Sequence, residues 1–318
     1  MASRTAPAAD PGPNDVTIEA HTLTSGGIVR EYLLAQPMKI PDGPVPLVLD
    51  LHGSGFDAAD QFRVSRSHRF TADGAIVVAP RGHIRFRLFE GCPEGYAWNV
   101  PGSPLPGEAE PQPGPDDVRF LSHLLGALLS GRGSAAPIDP GRVHVIGYSG
   151  GARLASHLPA ALPWLASVAC VAGLRYPVPV TGNTVAILAV HGTDDPINPY
   201  LGRAGTRWSA SVEESAMHWA AASGWAGETT SEDLGHGVVE RCFVPSASGA
   251  PVRLVTVPGV GHAWPGSRDP EHVARFGPSG GFDASAHLQP LIVSLVAQAP
   301  TELIGCSETA DNQEVTRS

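Results

Sequence analysis

The chain has 318 residues, 42% of them apolar and only 16% charged, with a formal net charge of −10. That length allows one or two domains by count, and α/β folds often reach it as one unit with a single large core. The acidic balance argues against a general nucleic-acid binder, which needs a basic face.

Residues 1–14 are rich in Pro, Ala and Asp and read as a loose tail. They contain no apolar h-region and so do not read as a signal peptide. As written the chain suggests the cytoplasm; a trimmed mature form would be extracellular. Val16–Leu23 and Ile28–Leu34 flank Ser25-Gly26-Gly27 and predict a β-hairpin. Val45–Leu51 (VPLVLDL) is a short apolar run, as expected of a strand buried on both faces. His52-Gly53-Ser54-Gly55 follows it, then a helix over Asp57–Val64 and a buried strand over Ala75–Val78. The irregular segment Arg81 to Pro115 is too long for an ordinary connection, and its Phe86, Phe89, Tyr96 and Trp98 favour an ordered loop. Asp116 looks like an N-cap, with Val118, Leu121, Leu125 and Leu128 following at helical spacing. Strand Arg142–Ile146, helix Gly151–Leu162, strands Ala166–Val171 and Val185–Val190, helix Val212–Ala222, strand Val252–Val257 and helix Ala286–Ala297 complete the series. This alternation predicts an α/β fold with a mostly parallel sheet and helices on both faces. The expected organisation is one catalytic domain over 15–303 and a polar C-terminal tail over 304–318. No run of about 18 apolar residues is present, so no membrane span is expected. Lys39 is the only lysine, a bias that reads as coding composition rather than chemistry.

Gly147-Tyr148-Ser149-Gly150-Gly151 fits G-x-S-x-G. A strand runs into it and a helix leaves it, the context a nucleophile elbow requires. Such a turn holds the serine in a strained backbone conformation, and side chains two residues either side would strike neighbouring backbone. A serine hydroxyl then needs a general base, and the base needs an orienting acid. In this fold they follow in the order Ser, acid, His. Asp194 and Asp195 lie just past strand Val185–Val190, and His262 lies past strand Val252–Val257. Both loops belong to the sheet edge that carries the elbow. Spacing alone leaves Asp194 and Asp195 both open. Two N–H donors are needed for the oxyanion, and Gly150 and Ser54 are the candidates.

The pieces LHGSG (51–55), DDVRFL (116–121), IDPGRVHVIGYSGGARLASHL (138–158), VAGLRYP (171–177), HGTDDPINPY (191–200) and GHAWPG (261–266) stand in one order along the chain. Together they resemble the α/β-hydrolases of the polyhydroxybutyrate depolymerase and feruloyl-esterase group, the esterase lipoprotein-like branch, from about residue 28 to 300. The resemblance implies Ser149 as nucleophile, His262 as base and Asp195, fifth in H-G-x-x-D, as acid. It also implies cysteine pairs, yet no cysteine follows Trp98-Asn99 and Trp225 stands where one is expected. Cys92, Cys170, Cys242 and Cys306 are read instead as free thiols. The family more often has Asn or Ala at position 150; glycine there is expected to matter little, since the donor is a backbone N–H.

Few residues separate Val171 from Val185, which leaves no room for a helical cap. An open, shallow site is expected, walled by 81–115 and by the segment Trp225–Glu240. Trp98, Tyr148 and Trp264 are the aromatic candidates for substrate binding, though aromatics dominate cores as well. The expected activity is serine-esterase hydrolysis of a small or polymeric ester, with a polyester depolymerase first and a feruloyl or acetylxylan esterase second. A serine peptidase of the same fold and a catalytically silent binding protein are the further alternatives. The mechanism requires no cofactor and no metal, and the oligomeric state stays open.

Overall fold

The computed structural model describes residues 15–176, 182–205, 207–245, 249–295 and 315–317. In chain order its elements are β1 (Val16–Ser25), β2 (Ile28–Pro37), β3 (Val45–Leu51), α1 (Ala58–Ser65), β4 (Ile76–Pro80), β5 (Ile84–Phe86), β6 (Gly95–Ala97), α2 (Asp117–Leu129), β7 (Ile138–Tyr148), α3 (Gly150–Ala155) and α4 (Leu158–Ala161). They continue with β8 (Ser167–Val171), β9 (Ala186–Gly192), α5 (Val212–Ala222), β10 (Thr229–Gly235), β11 (Val238–Phe243), β12 (Val252–Val257), α6 (Pro270–Phe276), α7 (Ala284–Ser294) and β13 (Val315–Arg317).

Eleven strands form one sheet in the order β10-β11-β12-β9-β8-β7-β3-β4-β2-β1-β13. From β12 through β4 every neighbouring pair is parallel. Strands β3, β4, β8 and β9 are buried at every position. That is why their sequences are continuous apolar runs rather than alternating ones. One core packs α2, α3 and α5 against one face, through residues such as Leu121, Leu154 and Trp219. A second packs α1, α6 and α7 against the other, through Phe62, Phe276 and Leu288. The fold is therefore the α/β-hydrolase arrangement expected from the element order.

Several local expectations hold with adjusted ends. The hairpin turns at Gly26-Gly27, both at positive φ, and pairs Ser25 with Ile28. Asp116 caps α2 by accepting the Arg119 N–H at 2.9 Å. The helix expected over 151–162 is two short helices, because Pro159 in the first turn of α4 has no N–H to extend the ladder of α3. The last helix ends at Ser294; residues 296 and 297, expected to continue it, lie outside the described residues.

Two loops differ from expectation. Segment 81–115 carries a small antiparallel ribbon, β5–β6, tied to the chain after β3 by a bridge between Phe56 and Tyr96. Segment Trp225–Glu240, expected as a wall of the site, is regular structure whose turn reaches Pro258 on the loop that leads to His262. It extends the sheet as the β10–β11 hairpin, and Trp225 packs on Phe243 there. Cys92, Cys170 and Cys242 are free; Cys306 lies outside the described residues. Among the described residues no helix is long and apolar enough to cross a membrane.

Candidate active site

The C-terminal ends of the parallel strands meet at one edge, where open α/β sheets bind ligands. Strand β7 delivers Ser149 there. Its backbone sits at φ 51 and ψ −110, a conformation rarely adopted by a residue with a side chain. Its amide holds the turn by donating to the Val171 carbonyl of β8 at 2.9 Å. The two flanking glycines are sterically required. A Cβ at Gly147 would lie 2.5 Å from the Gly151 carbonyl oxygen, and one at Gly151 would lie 2.3 Å from that of Leu51.

His262 Nε2 lies 2.8 Å from Ser149 Oγ, and His262 Nδ1 lies 2.7 Å from Asp195 Oδ2. A carboxylate only accepts, so Nδ1 carries the proton and Nε2 is left to accept from the serine hydroxyl. Of the two neighbouring acids it is Asp195 that meets His262; the Asp194 carboxylate instead accepts from the Thr193 hydroxyl at 2.7 Å. Asp195 Oδ1 accepts the N–H groups of Ile197 and Asn198 at 2.9 and 2.8 Å. Burial alone would raise the Asp195 pKa, but His262 and His191 outweigh it and hold the carboxyl below the usual range. The His262 loop is clamped from two sides. The Tyr148 hydroxyl donates to the His262 carbonyl at 2.7 Å, and the His262 amide donates to the Phe276 carbonyl at 2.9 Å.

On the other side of the serine, β3 delivers His52-Gly53-Ser54. His52 Nε2 accepts the Gly82 N–H at 2.8 Å, while Nδ1 faces the Gly53 carbonyl at 2.8 Å. These partners set the neutral tautomer, and burial pulls its pKa down from 6.5 to about 4. Ser54 is buried against Gly150. A Cβ at Gly150 would lie 2.3 Å from Ser54 Oγ and 3.2 Å from Ser54 N. The expectation that residue 150 matters little is therefore corrected: the Ser54 side chain occupies the space that a larger residue would use.

The three aromatic candidates for substrate binding are also corrected. Trp98, Tyr148 and Trp264 are each at most 2% exposed. Trp98 donates its indole N–H to the His52 carbonyl at 2.8 Å and packs on the His52 ring. Tyr148 packs under His262, and Trp264 donates to the Ser285 hydroxyl at 3.1 Å. All three support the site from behind. Sequence reasoning missed His52 and His191. His191 Nε2 faces both the Asn198 carbonyl at 2.8 Å and Asp195 Oδ2 at 3.3 Å, so it carries a proton and braces the acid loop. Each stands in a His-Gly pair at the end of a buried parallel strand, and that recurrence was the available signal.

Comparison with known proteins agrees with this fold. No family model matches the chain. "Putative esterase NocK" from Nocardia uniformis subsp. tsuyamanensis is 31% identical over 291 residues, covering 83% of this chain and 78% of NocK. Among solved structures, a dienelactone hydrolase-like promiscuous phosphotriesterase from metagenomic libraries covers 89% of this chain and all of its own at a TM-score of 0.52 and 13% identity. The acetyl xylan esterase from Aspergillus awamori covers 80% of this chain and 91% of its own at a TM-score of 0.50 and 15% identity. At such identities the two structures speak to the fold alone. The chain belongs to the family of NocK, esterase-type hydrolases of the α/β-hydrolase superfamily.

Proposed function

We propose that the protein is a serine carboxylesterase acting through an acyl-enzyme. Ser149 Oγ attacks the ester carbonyl while His262 Nε2 takes its proton, and Asp195 holds the imidazole in the Nδ1–H tautomer. The N–H groups of Gly150 and Ser54 are assigned to the oxyanion. His262 then protonates the departing alcohol. Water, deprotonated in turn by His262, releases the acid and restores Ser149. The observation that carries this reading is the unbroken chain Ser149 Oγ, His262, Asp195 at 2.8 and 2.7 Å, on a serine held at φ 51.

Ser149→Ala removes the nucleophile and leaves the packing intact. It is expected to abolish turnover of p-nitrophenyl butyrate with an unchanged Tm. Turnover retained in that variant would refute the assignment. A fluorophosphonate probe should label Ser149 in the wild type, which separates an active enzyme from a silent binding protein. A matched dipeptide amide tests the peptidase alternative. The polyester reading rests on the sequence resemblance alone, because Trp98, Tyr148 and Trp264 are buried and build no open aromatic cleft. Side-by-side turnover of short hydroxybutyrate oligomers, methyl ferulate and acetylated xylan ranks the ester classes.

A further inference from the structure

Three arginines, on segments that follow β7, β8 and β9, gather around Trp208 with no counter-charge among the described residues. Arg153 lies on α3, directly behind the elbow, and its amide donates to the Ser149 carbonyl at 3.0 Å. Arg175 follows β8, in a segment that passes Ser149 so closely that a Cβ at Gly173 would lie 2.5 Å from the Ser149 carbonyl oxygen. Arg207 lies in the connection after β9. Arg153 and Arg175 thus sit on segments that leave β7 and β8 next to the Ser149 backbone, and Arg207 stands close enough to both to repel their charges. Arg153 and Arg175 stand over the Trp208 ring, with Cζ at 5.5 and 4.8 Å from its centroid. Arg207 donates to the Pro104 carbonyl.

Arg153 is only 2% exposed, yet its Nε and Nη2 have no hydrogen-bond partner, and neither has Arg175 Nη1. No carboxylate of the described residues pairs with any of the three. The other buried arginines face carboxylates: Arg30, also 2% exposed, is paired with Asp117 at 2.6 Å, and Arg69 with Asp283 at 3.3 Å. Burial, then the guanidiniums of Arg207 and Arg175, push Arg153 from 12.5 down to about 8. Leaving donors and charge unpaired in the interior is destabilising, and such an arrangement marks a place where a ligand completes the pairing.

We propose that Arg153, Arg175 and Arg207 form the subsite for a carboxylate carried by the ester that Ser149 attacks; this rests on the serine-esterase reading above. The planar guanidinium fork matches a carboxylate in two-point contact. The site is held rigidly. The Arg175 amide donates to Ser156 Oγ at 3.1 Å, its carbonyl accepts the Trp219 indole N–H at 2.6 Å, and Trp208 backs two of the guanidiniums. Arg153 stands one helical turn after Ser149 on α3, which ties the cluster to the elbow.

The test compares charged and neutral esters of matched shape on the full chain. On the acyl side the pair is p-nitrophenyl hemiglutarate and p-nitrophenyl valerate. On the alcohol side it is 4-(butyryloxy)benzoate and 4-(butyryloxy)benzamide. In at least one pair, Arg175→Gln and Arg207→Gln should lower kcat/KM for the charged ester about tenfold more than for its neutral partner, the worth of one charge-assisted contact. Arg203→Gln, an exposed arginine of the same connection, should leave both ratios as in the wild type. Arg153→Met should raise Tm by a few degrees, as expected when an unpaired buried charge is removed. Ratios unchanged in both Gln variants would overturn the subsite. Absence of all ester turnover would fail the esterase reading instead. In that case glutarate at fixed ionic strength should still raise the Tm of the wild type but not of Arg175→Gln, and no such shift would overturn the subsite too.

Discussion

Asp195→Asn isolates the role of one proton. In the structure Asp195 Oδ1 accepts two backbone N–H groups and Oδ2 accepts from His262 Nδ1 and, at 3.3 Å, faces His191 Nε2. An asparagine has one oxygen for these two positions. If the oxygen keeps the Ile197 and Asn198 amides, the NH2 group faces His262. The imidazole must then move its proton to Nε2, where it opposes the Ser149 hydroxyl instead of accepting from it. If the amide flips, two buried backbone donors lose their acceptor, at about 1–3 kcal/mol each. The first arrangement leaves the fewer donors unpaired, so the variant should fold and hold the wrong tautomer. A loss of ~10⁴ in kcat is expected for that exchange in a triad, about 5.5 kcal/mol of barrier. The assay is kcat and KM for p-nitrophenyl butyrate, with Asp194→Asn in parallel. The Asp194 carboxylate accepts from the Thr193 hydroxyl and does not meet His262, so its replacement should cost less than about tenfold. An Asp195→Asn enzyme retaining a tenth of wild-type kcat, or an Asp194→Asn enzyme falling as far, would refute the reasoning.

Gly150→Ala should push Ser54 aside, because its Cβ would lie 2.3 Å from Ser54 Oγ. The expected loss in kcat is about tenfold or more, the scale of a displaced oxyanion donor, with partial recovery in Gly150→Ala/Ser54→Gly measured on the same ester. Tyr148→Phe leaves the His262 carbonyl without its 2.7 Å donor. A fall of about 1–3 kcal/mol in stability and a lower kcat are expected, read by thermal melt and initial rates. Stability should also fall on acidification. His52 and His157 are lowered by burial from 6.5 to about 4, and His144 and His272 to about 3. Between 6.5 and those values the unfolded chain binds more protons than the folded one, so stability is complete above pH 6.5 and is lost as pH drops toward 4 and below. Asp50, raised by burial to about 6, and Asp117, also raised by burial, oppose this above pH 3.8, two carboxyls against four histidines. A Tm that stays level from pH 7.5 to 4.5 would contradict the balance.

Much of the architecture was legible in the sequence because it is set by short-range rules. Buried parallel strands must be continuous apolar runs, so VPLVLDL and its successors stood out. A sharp strand-to-helix turn excludes Cβ atoms at fixed offsets, so Gly147 and Gly151 mark the elbow in the sequence itself. Chain order then placed an acid and a histidine at the same edge. The rest depended on which surfaces the fold brings together. Asp194 and Asp195 are chemically identical neighbours, and only loop direction decides which of them meets His262. Trp98, Tyr148 and Trp264 carry the same aromatic signal whether they line a cleft or underlie it, and burial placed them beneath. Gly150 acquired its importance only when Ser54 arrived from a strand nearly a hundred residues earlier. The arginines at 153, 175 and 207 are unremarkable in a chain with one lysine. Their lack of a counter-charge exists only in three dimensions, because electrostatic pairing depends on distance and burial rather than on order along the chain.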